Sequence, residues 1–138
     1  MTMTTGVRCG TAALLLVGLA ACSSGGSSNG EAAKASGVKI SDAARQEAQQ
    51  TFANRCSVCH GKEGHGDGPG SAGLTPSPRN YHDQTWQASV TDEQIERTIV
   101  YGGAAVGKSP AMVANPDLGN KPELVAALRE IVRKFGKQ

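Results

Sequence analysis

The sequence predicts an all-α domain, and three observations carry that reading. Two segments, one ending near residue 54 and one opening at Pro122, place apolar residues at the three- and four-residue spacing of a helix face. The chain between them is dense in glycine and proline, which interrupts regular structure. No segment shows a clear strand pattern of alternating apolar and polar residues. A length of 138 residues fits one domain with an appendage. Large side chains are scarce: the aromatics are Phe52, Phe135, Tyr81, Tyr101 and Trp86. A small domain so poor in core material needs something else at its centre. The formal net charge is +2, with no basic run longer than two residues, which removes the electrostatic case for a nucleic-acid partner. No run of 18 apolar residues is present, so a transmembrane span is excluded.

Residues 1–21 read as an export signal and not as part of the fold. Arg8 supplies a short positive region, and Ala12 to Ala21 is a small, apolar run too short to cross a bilayer. The run closes on Leu19-Ala20-Ala21-Cys22, which resembles the lipobox of bacterial lipoproteins. That resemblance implies cleavage before Cys22 and a diacylglyceryl group on its sulfur; the alternative is an ordinary signal with a chance cysteine. Residues 22–39 are mainly Ser, Gly and Ala, without helical or strand periodicity. They are expected to form a flexible linker with a reach on the order of 20 Å. The folded domain is then expected at 40–138.

Ser41 or Asp42 can cap a first helix running to about Asn54, with Ala44, Ala48, Thr51, Phe52 and Arg55 near one another. Directly after it comes Cys56-Ser57-Val58-Cys59-His60. With Cys9 in the signal and Cys22 at the lipid site, these two cysteines are the domain's own. The string C-x-x-C-H reads as an attachment site for one c-type haem. Two cysteines three apart at a helix end can reach two vinyl groups on one porphyrin edge, and the adjacent histidine can place its imidazole under the iron. A bound macrocycle would also supply the missing core. Other readings fit less well. A dithiol redox pair needs a strand and a βαβ frame. Zinc on Cys56, Cys59, His65 and His82 matches no common spacing and leaves His60 idle. A disulfide across two residues is strained and closes almost no loop.

Six glycines fall between Gly61 and Gly73, followed by Pro76 and Pro78. A loop this long needs an object to wrap, and the same holds for 107–119 with Pro110 and Pro116. Between these loops, Thr91 and Gln94 form a capping box ahead of Ile95 and Ile99, and Gly102-Gly103 ends that helix at Tyr101. Pro122-Glu123 opens the last helix, with Leu124, Ala127, Leu128, Ile131, Val132 and Phe135 on one face. Arg129, Arg133 and Lys134 suit the negative end of its dipole. The candidates for a second axial ligand are His65, His82 and Met112. His65 lies close after His60, on the same side. Met112 sits in the punctuated loop Lys108-Ser109-Pro110-Ala111-Met112, where its other role would be packing. His82, in the polar turn Tyr81-His82-Asp83, is the alternative ligand.

Together these features resemble a class I c-type cytochrome of the small bacterial monohaem kind, over residues 41–136. The match runs through Cys56-x-x-Cys59-His60-Gly61, Gly66-Asp67-Gly68-Pro69, Pro78-Arg79-Asn80-Tyr81 with Trp86, the helix Thr91–Tyr101, the methionine loop and the terminal helix. The resemblance implies a cytochrome c fold, with the N- and C-terminal helices packed beside a covalently attached haem and Phe52 brought toward Leu128 and Phe135. It implies further that the Pro69 carbonyl accepts from the His60 ring, that Arg79 and Trp86 donate to haem propionates, and that Met112 is the sixth ligand. One departure is that Val113 follows Met112 where family members often carry proline. A His/Met pair leaves no open iron position, so the expectation is a one-electron carrier, not an enzyme, without a small-molecule substrate. Its partners would be periplasmic or membrane-bound redox proteins. Its place would be the bacterial cell envelope, held to a membrane by the lipid on Cys22. The other readings carried forward are an electron-input subunit of a larger oxidoreductase and a haem enzyme or gas sensor with a displaceable methionine.

Overall fold

Helix α1 (Asp42–Thr51) starts where Ser41 accepts a hydrogen bond from the Ala44 N–H at 3.3 Å, satisfying one of the free donors of the first turn. The computed structural model describes residues 37–138. The expected signal 1–21, Cys22 and the linker as far as residue 36 lie outside the described residues.

The helix does not stop near Asn54 as expected. A wide turn, Phe52–Cys56, carries it into α2 (Ser57–His60). The wide turn is defined by the Ser57 N–H, which reaches back five residues to the Phe52 carbonyl. The Ser57 hydroxyl donates to the Ala53 carbonyl at 2.7 Å and closes the same turn from its side chain. One residue beyond α-helical count rotates everything downstream by about 100° around the axis. Arg55, which the spacing groups with the apolar face, is accordingly exposed and pairs with Asp117 at 2.8 Å.

Helix α3 (Gln84–Ser89) was not expected. Asp83 caps it by accepting from the Trp86 N–H at 3.0 Å, so the polar turn is a helix start. Helix α4 (Asp92–Tyr101) carries the expected capping box, with Gln94 N–H to Thr91 Oγ1 at 3.1 Å and Thr91 N–H to Gln94 Oε1 at 2.9 Å. Helix α5 (Pro122–Phe135) is the longest of the described helices and has Pro122 in its first turn. The described residues contain no β-strand, and none of their helices is long and apolar enough to cross a membrane.

Helix α5 packs against both α1 and α4. Leu128 at its centre is only 1% exposed, and Ala48, Phe52, Ile95, Ile99, Leu124, Val132 and Phe135 are buried in the same cluster. Each large apolar side chain removed from water in this way contributes about 1.5–3 kcal/mol. The rings of Phe52 and Phe135 lie 5.5 Å apart, centroid to centroid, where the two end helices meet.

Polar contacts lock α4 to α5. Arg129 is buried, and its guanidinium meets Asp92 and Glu96, each at 3.3 Å. Arg133 meets Asp92 at 2.7 Å and also donates to the Gln87 and Val90 carbonyls at 2.7 Å. These arginines thus join three helices.

Candidate functional site

The end of the wide turn presents Cys56, α2 presents Cys59 and His60, and the glycine-rich loop folds back onto α2. Gly66 N–H donates to the His60 carbonyl at 2.8 Å, and Gly68 N–H to the Cys59 carbonyl at 3.1 Å. Helix-end carbonyls without partners are thereby satisfied. The approach is close enough that a β-carbon on Gly68 would overlap the Ser57 and Val58 carbonyls. This packing is one reason for the glycine density at that point.

His60 is buried, and its ring stacks on Tyr81 with centroids 4.7 Å apart and planes 14° from parallel. Its Nδ1 lies 3.4 Å from the Arg79 carbonyl. A carbonyl only accepts, so Nδ1 carries the proton and Nε2 keeps its lone pair free. Burial lowers the His60 pKa, opposed by the hydrogen bond to Arg79, and the neutral form is the one that binds metal. Cys56 is pushed up to about 11 by burial, against the pull of the Arg55 charge, so at neutral pH it is a thiol. Burial likewise raises the Tyr81 phenol far above its ordinary value.

Helix α4 ends at Gly102-Gly103, where the methionine loop is attached. Gly103 N–H donates to the Met112 carbonyl at 2.8 Å, Asn115 N–H to Val100 at 2.9 Å, and Asn115 Nδ2 to Ile99 at 2.8 Å. Gly102 has φ +75°, and a β-carbon there would lie 2.7 Å from Ala114 N and 2.8 Å from the Met112 carbonyl oxygen. The loop can sit so close to the helix only because both residues lack side chains.

Cys56, Cys59, His60 and Met112 line one cavity of about 410 Å³. Phe52, Tyr81, Trp86, Ile95, Ile99 and Leu128 give it apolar walls. The charged residues lining it are Arg55, Arg79 and Lys108, with no carboxylate among them. Arg79 also pairs with Asp83 at 3.2 Å and lies 5.7 Å over the Trp86 ring. Two thiols, a neutral imidazole, a thioether, apolar walls and cations fit a flat, apolar, iron-bearing macrocycle with acidic side groups.

Two sequence-based expectations need correction. Pro69 does not hold the imidazole: it opens the short turn Pro69–Ser71 and does not line the cavity. The neighbouring Gly68 is drawn onto the end of α2, while the segment around Arg79 and Tyr81 meets the His60 ring. His82, the alternative ligand, is also outside the cavity. It stacks on His65 at 4.3 Å, lies 5.7 Å from Phe135, and its Nε2 meets the Glu63 carbonyl at 2.7 Å. His65 does not line the cavity either, and among the described residues no group of three or more His, Cys, Asp or Glu is placed to hold a metal ion. Sequence reasoning missed the Arg79 carbonyl and Tyr81 as neighbours of His60. An aromatic residue inside a Gly/Pro-rich stretch was the one available signal for Tyr81.

Residues 45–128, more than half of the chain, match the cytochrome c family. Among solved structures, the KustC0563 c-type cytochrome is similar at 30% identity, over 64% of this chain and 95% of that one, with a TM-score of 0.48. No curated protein matches.

Proposed function

The chain belongs to the cytochrome c family, whose haem c is bound covalently, and we propose that it is a membrane-tethered one-electron carrier with His60 and Met112 as axial ligands. The observation that carries this reading is the meeting of His60, Met112 and both cysteines in one apolar cavity. Haem c, when bound, supplies a one-electron ferric/ferrous couple. Cys56 and Cys59 would hold it through thioether bonds. His60 and Met112 would together leave small molecules no open place on the iron, which favours a carrier over an enzyme. The thioether of Met112 and the apolar walls would favour the ferrous form and a higher potential. Arg79 and Trp86, both in the cavity lining, would donate to the propionates.

The lipobox-like Leu19-Ala20-Ala21-Cys22 and the linker that follows support a lipid anchor at Cys22 and a place in the bacterial cell envelope. Tethering would hold the domain near its partners, which we take to be periplasmic or membrane-bound redox proteins, at an effective concentration set by the linker. Such encounters use small, weak interfaces.

The test is an optical spectrum of the haem-loaded ferric protein, scanned through the far red for the sulfur-to-iron charge-transfer band. The band is expected in the parent and absent in Met112→Ala (M112A). A low-spin parent spectrum without the band would refute methionine ligation but leave a carrier. A high-spin spectrum would refute the carrier reading in favour of ligand binding or catalysis.

A further inference from the structure

Gln87 lies in α3 and has no part in the haem-site lining, yet its side-chain amide makes three hydrogen bonds. Its Nε2 donates to the Tyr81 carbonyl at 2.7 Å and to the Val132 carbonyl of α5 at 3.0 Å. Its Oε1 accepts from Arg133 at 2.9 Å. Both N–H groups meet carbonyls and the oxygen meets a guanidinium, so the amide has one workable orientation. Arg133 is itself fixed by Asp92 and the Val90 carbonyl. Gly136 leaves room for this arrangement: a β-carbon there would come within 2.6 Å of the Gln87 side chain.

The Tyr81 peptide is thus gripped from both sides, since its N–H donates to Gly64 at 2.8 Å and its carbonyl takes Gln87. Two residues earlier is the Arg79 carbonyl that accepts from His60, and the Tyr81 ring lies flat on that imidazole. Resting on His60 as an iron ligand, we propose that Gln87 is a positioning residue. It ties the Arg79–Tyr81 segment to α5, and so fixes both the Nδ1 hydrogen bond and the plane of the axial imidazole. A carbonyl acceptor on Nδ1 makes the ring a stronger electron donor, which favours ferric iron. Releasing the segment weakens that hydrogen bond and raises the potential.

Gln87→Leu (Q87L) keeps the bulk of the side chain and removes all three hydrogen bonds. Leu124→Ala (L124A) is the control: Leu124 is 3% exposed and lies outside the haem-site lining, and its truncation loosens the core it shares with Tyr81 while removing none of the hydrogen bonds that hold the Arg79–Tyr81 segment. The haem-loaded proteins are compared by redox titration and by ferric low-spin electron paramagnetic resonance. The expected result is a higher midpoint potential and altered g-values in Q87L, with the parent's values in L124A despite its lower denaturation midpoint. An unchanged potential and spectrum in Q87L would overturn the role of Gln87, as would an equal shift in L124A. Gln87→Met, unbranched and close in shape, takes its place in the comparison should Q87L not accumulate. A high-spin parent without histidine ligation would instead overturn the axial assignment, a separate result read from the same samples.

Discussion

Gly102 shows how much a single residue can decide at this site. Its φ of +75° and the nearness of the Met112 carbonyl both exclude a side chain. Gly102→Ala is expected to cost about 1–3 kcal/mol in backbone strain, with further loss from pushing the loop away. Thermal denaturation should report it, and, on the proposed Met112 ligation, the far-red band should weaken with it. That Met112 would face the site was legible in the sequence, because it is the methionine outside the signal region and sits in a proline-punctuated loop, and it does line the cavity. The Arg79 carbonyl was not legible, since every residue has one and only the folded path shows which lies against His60.

Among the helices, the ends carry much of the information. Ser41 caps α1 and also donates its N–H to Glu123 in the first turn of α5 at 3.1 Å. Its hydroxyl first, and then its N–H, hold Glu123 below the ordinary carboxylate range. A carboxyl with a depressed folded pKa stabilises the fold above its unfolded pKa, and loses that contribution as pH falls through the folded value. The contribution is small because the group is fully exposed. Carboxyl-resolved nuclear magnetic resonance should find Glu123 titrating below 4.5, and Glu123→Gln should flatten this part of the acid limb of stability. The α4–α5 contact is stronger. Asp92→Ala leaves Arg129 and Arg133 without a shared partner in a mostly buried setting, at a cost of about 3 kcal/mol by denaturant unfolding. Helices α4 and α5 were legible because caps and apolar spacing agree in each. Helix α3 was hidden because six residues are too few for a period to show, and Asp83 was read as a turn residue. The contacts between Arg129 or Arg133 and α4 were hidden for another reason: long-range pairing leaves no local pattern, and the same arginines suit a helix C-terminus.

For the molecule as a whole, the scarcity of large side chains and the cavity express one fact. Phe52, Tyr81, Trp86, Ile95, Ile99 and Leu128 face this site, and without haem their apolar surface would meet water, a loss that is large against the roughly 5–15 kcal/mol stability of a small domain. A chain that cannot attach its prosthetic group should therefore lose its fixed packing. Cys56→Ala with Cys59→Ala is expected to abolish the cooperative thermal transition and the near-ultraviolet circular dichroism of the parent, with helical signal partly kept. That dependence was legible in outline from composition and from the C-x-x-C-H string. The wide turn at Phe52–Cys56 was not, because nothing in the residue types there sets one extra residue apart. It works as a phase shift between two structural registers. Upstream, α1 keeps step with α5; downstream, the attachment residues keep step with the cavity. In the language of sequence comparison, a one-residue gap between Phe52 and Cys56 is therefore not a neutral length change. It would leave the motif spelled correctly but turned away from the haem it is meant to hold.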